Sequence, residues 1–100
     1  MNHYQRVVCA DGFTMSVQAS SFSYCSPRID NADCYSSVEI GFPSALDPRL
    51  QEYAENPDAV VDVERGEVLT VYPYVPMPIV LAVILGHGGQ VAGELPPHRA

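Results

Sequence analysis

Apolar and polar positions alternate most clearly over residues 7–19, where two strand-like runs flank Asp11-Gly12, a pair that tolerates positive φ in a tight hairpin turn. A two-residue turn there sets Ala10 opposite Phe13, Val8 opposite Met15 and Arg6 opposite Val17. Phe13, Met15, Val17 and Ala19 then form the buried side of the second arm, and Thr14, Ser16 and Gln18 its polar side. Alternation resumes over residues 35–42, with Val38, Ile40 and Phe42 on one side and Ser37 and Glu39 on the other, predicting a third strand that Pro43 ends. β-Branched residues around Arg65-Gly66 predict a second hairpin, residues 59–64 against 68–74, although its turn sets Glu64 opposite Glu67, an unfavourable like-charge pair.

Two segments predict helices. Asp47-Pro48 opens a short one over residues 48–55, because Asp caps free N–H groups and Pro at the first helical position loses no needed donor. Leu50, Tyr53 and Ala54 share one face of it, and Asn56-Pro57 closes it. The second lies in residues 75–89, an apolar stretch launched by prolines and stopped by Gly86-His87-Gly88-Gly89. Pro76 and Pro78 fit a first turn but not a helix interior, which places the helix at residues 78–85. The unbroken apolar run from Ile79 to Leu85 leaves that helix no polar face, so it needs cover on more than one side. Self-association is the simplest cover, which makes Ile79, Val80, Leu81, Val83 and Ile84 the expected oligomer interface. The sum is an α+β domain: one antiparallel sheet of four to five strands with two short helices packed on it. Residues 1–100 form a single domain, with 96–100 a frayed tail.

Composition narrows the function classes. The 100 residues carry a formal charge of -7, from 12 acidic and 5 basic side chains, and every basic one is arginine. Scattered arginines on an acidic chain argue against direct binding of duplex nucleic acid, which draws on many clustered cations. The acidic residues fall singly or in pairs and do not form the long run that nucleic-acid mimicry would favour. Three cysteines, Cys9, Cys25 and Cys34, without a secretory leader point to free thiols in a reducing cytoplasm. The cysteine and histidine spacings match no metal motif, and the apolar run of residues 75–85 is too short to span a bilayer, which takes about 20 residues. Neither a metal, a cofactor nor a membrane is expected.

No motif places a nucleophile, so no catalytic residue is assigned and an enzyme is the lesser reading. Binding chemistry has better candidates. Residues 20–33 form a long polar excursion, and within it Tyr24-Cys25-Ser26-Pro27-Arg28 offers a ring that could stack a base and a guanidinium that could fork onto phosphate. The competing reading of Arg28 is a loop salt bridge with Asp30 or Asp33. His87, Gly88 and Gly89 could add an imidazole and exposed N–H groups, although glycines after a helix are most often its cap and phosphate prefers a helix N-terminus. The candidate ligand site is therefore Tyr24, Ser26, Arg28, His87, Gly88 and Gly89. Tyr72 and Tyr74 alternate on an edge strand with Pro73 between them, which places both rings on one face. Glu39 points outward and could serve as a base or simply be solvated.

Taken in order, DGFTMSVQA (11–19), YCSPR (24–28), SSVEIGFPS (36–44), YAE (53–55), YVP (74–76) and HGG (87–89) resemble a set of small proteins encoded by phages and prophages. Residues 60–67 and the wholly apolar residues 79–85 depart from that pattern. The resemblance implies a stoichiometric binding role, including the blocking of bacterial defence, and brings no catalytic or ligand residues with it. The expectation is a non-enzymatic, homo-oligomeric anti-defence protein of the host cytoplasm that sequesters a small nucleotide immune signal. The alternatives are an acidic protein–protein inhibitor of a host nuclease or CRISPR complex, acting through Asp62, Glu64 or Glu67, and a small nucleotide-acting enzyme.

Overall fold

The computed structural model describes residues 3–99. β1 (Val7–Cys9) and β2 (Thr14–Gln18) form the expected hairpin, but its turn takes in Ala10, Asp11 and Gly12. The Gly12 N–H donates to the Cys9 carbonyl at 3.0 Å, the Phe13 N–H to Asp11 Oδ1 at 2.9 Å, and Gly12 adopts φ +96°. Val7 therefore stands opposite Met15, where a two-residue turn predicts Val8. One residue of slip exchanges the faces of the first arm. Val7 and Cys9 enter the core, while Arg6 and Val8 turn outward.

The chain continues through β3 (Ser37–Gly41), a 3₁₀ turn at Gln51–Tyr53, β4 (Val61–Asp62), β5 (Glu67–Val68), β6 (Val71–Pro76), helix α1 (Met77–Gly86) and β7 (Gln90–Ala92). The fold is α+β. Five antiparallel strands in the order β6-β3-β2-β1-β7 make the main sheet, and β4-β5 is a separate two-stranded ribbon.

Three local expectations need correction. The helix over residues 48–55 is reduced to the single 3₁₀ turn, since Asp47 Oδ1 accepts from the Arg49 N–H at 2.9 Å in a local turn and Ala54 is already extended. Leu50 is still buried, with Tyr53 and Ala54 packed against the core. In the second ribbon Asp62, not Glu64, faces Glu67, and the like charges are relieved by other partners. Asp62 Oδ1 accepts the N–H groups of Glu64 and Arg65, and Glu67 lies 3.5 Å from Arg6. The long arm expected over residues 68–74 splits at Leu69-Thr70, so that β5 belongs to the ribbon and β6 to the main sheet. In the segment expected to fray, Pro96 is buried and the Pro97 carbonyl accepts from the Tyr35 N–H at 2.8 Å. Ala100 lies outside the described residues.

α1 follows β6 without a loop and lies on the sheet face lined by Val7, Met15, Val17, Val38, Ile40, Tyr72 and Val75. Met77, Val80, Val83 and Ile84 are buried there, while Ile79 and Leu81 are half-buried at its margins. Val80, Val83 and Ile84, expected at an interface between copies, are thus core residues of the same chain, because a sheet of this width covers a whole helix face. The outward side, Pro78, Ala82 and Leu85, is apolar, with Leu85 78% exposed. The helix closes on Gly88 at φ +91°: the Gly89 N–H donates to the Ile84 carbonyl and the Gly88 N–H to the Leu85 carbonyl, the paired bonds of a Schellman cap. The glycines then turn the chain back along β1 as β7.

This division of the helix is testable by urea denaturation. Val83→Ala is expected to lower the unfolding free energy by about 2 kcal/mol through lost burial and a residual cavity. Leu85→Ala is expected to stay within about 0.5 kcal/mol of the parent, as a surface substitution should.

Candidate functional site

The expected ligand residues fall into two clusters. His87, Gly88 and Gly89 sit at the end of α1 beside the β1–β2 turn. Tyr24, Ser26 and Arg28 lie against β3 and β6 at the opposite edge of the sheet. No contact joins the two groups among the described residues.

In the first cluster the His87 imidazole is held on both nitrogens. Nδ1 lies 2.7 Å from Asp11 Oδ2 and Nε2 lies 2.8 Å from Asp47 Oδ2. The ring stacks on Phe13, with centroids 3.9 Å apart and planes 7° from parallel. Arg49 forks onto the same Asp47 through Nε at 3.0 Å and Nη2 at 2.9 Å, and its Nη1 reaches the Ala82 carbonyl of α1. Gly86 leaves the room for that guanidinium, which a Cβ there would overlap.

Burial opposes charge on His87, yet the hydrogen bonds and charges of Asp11 and Asp47 outweigh it and raise the imidazole above its ordinary value. Burial likewise opposes charge on Asp47, but its hydrogen bonds from Arg49 and His87 hold that carboxyl down to about 2. Asp11 is lowered by the Phe13 N–H and by His87. The imidazolium also suits the negative end of the helix. With both nitrogens committed to carboxylates, this histidine is not disposed to take a proton from a substrate. Each nitrogen faces a different carboxylate, and among the described residues no cluster of His, Cys, Asp and Glu could hold a metal ion. The group is a clamp between three segments.

The second cluster faces water. The Arg28 guanidinium lies over the Tyr24 ring, 4.9 Å from its centroid, and the Tyr24 and Tyr74 rings are 6.0 Å apart at 47°. Tyr24 is 40% exposed and Tyr74 46%. The Tyr24 N–H donates to Glu39 Oε1 at 3.0 Å and its carbonyl accepts from the Tyr74 N–H at 3.1 Å, while Ser26 bridges to Ser37. Arg28 forms no ion pair among the described residues. Asp30, one of the two partners expected for it beside Asp33, instead accepts from Ser21 through N–H and Oγ.

Tyr74 reaches this group by an irregularity of β6. Val38 pairs with Val75 and Ile40 with Tyr72, so one extra residue of β6 stands opposite Glu39. Tyr74 takes φ +53° there, an uncommon state for a bulky side chain that neighbouring bonds must maintain. The bulge corrects the expectation of two rings on one face: Tyr72 is buried and Tyr74 projects outward. Pro73 in a strand run was the available signal for it. Asp47 carried no comparable signal as a partner of His87, nor Arg49 as the second partner of Asp47.

Compared with known protein families, with characterised proteins and with solved structures, this chain matches none. Among the described residues no helix is long and apolar enough to cross a membrane.

The clamp has a pH signature. Below the ordinary histidine value of 6.5 the imidazole is charged in folded and unfolded chains alike, and the pairing contributes in full; the contribution is lost as pH rises through the raised folded value. Asp47 acts at the other end, contributing above the ordinary 3.8 and losing that contribution as pH falls towards about 2. The melting temperature is therefore expected to peak between these two ordinary values. In that window His87→Gln should cost about 1 kcal/mol, or about 5 °C, and the deficit should narrow as pH is raised past the histidine transition.

Proposed function

We propose that the protein is a non-enzymatic binding protein that captures a small nucleotide, in the anti-defence role that the resemblance to phage-encoded proteins implies. One observation carries this: an arginine with no carboxylate partner among the described residues stacks on an exposed tyrosine, with a second exposed tyrosine beside it, on a chain of formal charge -7. Planar rings offer a base a stacking surface worth about 1–3 kcal/mol, and the guanidinium offers a fork for phosphate. The site uses Tyr24 and Arg28 as expected, adds Tyr74, and leaves His87 and its glycines to the clamp. Assembly into a homo-oligomer belongs to the same proposal and would use the outward apolar side of α1. A host bacterial cytoplasm is the setting it requires.

Isothermal calorimetry against cyclic and linear nucleotides tests this reading. Arg28→Ala and Tyr74→Ala are each expected to weaken binding at least tenfold, by loss of a phosphate fork or a stacking face, and His87→Gln to leave affinity unchanged. Absence of heat with every nucleotide would sink it.

A second reading, an acidic protein–protein inhibitor, draws on the β4–β5 ribbon. Val63 is 96% exposed at a turn held by the two hydrogen bonds of Asp62, with Glu64 beside it. On that reading Glu64→Lys would weaken a salt-sensitive association with a basic host protein, and Arg28→Ala would not affect it.

A further inference from the structure

The Tyr24–Tyr74 surface carries one group that simple stacking does not require. Glu39 lies on the outward face of β3, opposite the β6 bulge that displays Tyr74. Its Oε1 is occupied by the Tyr24 N–H at 3.0 Å, which fixes the carboxylate at the Tyr24 backbone. Oε2 has no hydrogen-bond partner among the described residues. Gln18, directly across on β2, is committed elsewhere: its amide is bonded to the backbone of Tyr4 and to Ser16.

We propose that this site selects guanine, resting on the nucleotide reading above: a base stacked on Tyr74 offers its N1–H and N2 amino group to the Glu39 carboxylate, while Arg28 takes the phosphate. A carboxylate is acceptor-only and has lone pairs to spare beyond the one used by Tyr24. On its pairing edge guanine presents two adjacent donors. Adenine places the N1 acceptor beside its single amino donor, cytosine places N3 there, and uracil flanks one N–H with two carbonyls. Each of these sets an acceptor against the carboxylate, and a site built to receive donors rejects a partner that lacks them far more strongly than it rejects a change of size. Stacking alone tolerates any base, so the carboxylate is what confers selectivity. Tyr74 is the ring available for the base, because Arg28 already covers a face of Tyr24.

Calorimetry with GMP, IMP and AMP at one fixed ionic strength tests the inference on the unmodified protein. GMP is expected to bind at least tenfold more tightly than AMP, with IMP between them, since it keeps N1–H and lacks the amino group. Glu39→Gln retains an oxygen for the Tyr24 N–H and is expected to bring GMP down to the affinity of AMP. Equal binding of GMP and AMP by the unmodified protein, or a preference for AMP, would overturn guanine selection and leave nucleotide capture standing. A Glu39→Gln protein that still prefers GMP would overturn the role of Glu39. No heat with any of the three would overturn both readings.

Discussion

The imidazole of His87 joins segments that are far apart in the chain, 76 residues from Asp11 and 40 from Asp47, and the arrangement of the α1 end depends on it. Four ionisable side chains, Asp11, Asp47, Arg49 and His87, meet at one edge of an apolar core, and the charge of Asp47, the buried one, would be costly alone. Asp47 is buried and tolerates its charge because Arg49 and His87 both donate to it. Arg49 in turn reaches α1 over Gly86, and the following glycines let the chain reverse along β1. The β1–β2 turn, the connection after β3 and the helix terminus are thereby fixed relative to one another.

That commitment explains why the residues around His87 are poor candidates for a ligand. A histidine beside several glycines suggests exposed N–H groups and a free imidazole. Here the Gly88 and Gly89 amides close the helix and both imidazole nitrogens are bound. At the other edge of the sheet the opposite condition holds. A single extra residue in β6 ejects Tyr74 from the core side, and the Tyr24 backbone, bonded to Tyr74 and Glu39 at once, keeps the polar excursion against it. Local strain at Tyr74 and an arginine with no ion-pair partner among the described residues mark the surface that the fold leaves available.

Much of the fold was legible along the chain. Period-two alternation located β2 and β3 and assigned Met15, Val17, Val38 and Ile40 to the core, and the prolines and glycines bracketed α1 to within a residue at each end. β7 was not legible, because Gln90–Ala92 is short, exposed throughout and without a pattern. It is a strand only because the glycine turn lays it beside β1. The helix expected over residues 48–55 failed for a related reason: its capping residue, Asp47, is engaged by Arg49 and His87, and no side chain read in isolation reveals that competition.

What the sequence determined by itself were the properties carried by neighbours along the chain: the core residues of β2 and β3, the limits of α1, its glycine cap, the net negative charge and the placing of Tyr24 and Arg28 in one loop. Tertiary structure alone decided the register of the first hairpin, which face of α1 is covered, the two carboxylates on His87 and the meeting of Tyr74 and Glu39 with that loop. The physical reason is that register and long-range pairing follow from turn geometry and from competition among polar groups for a limited set of partners. A turn longer by one residue exchanged the faces of β1, and an extra residue in β6 placed Tyr74 in the candidate site.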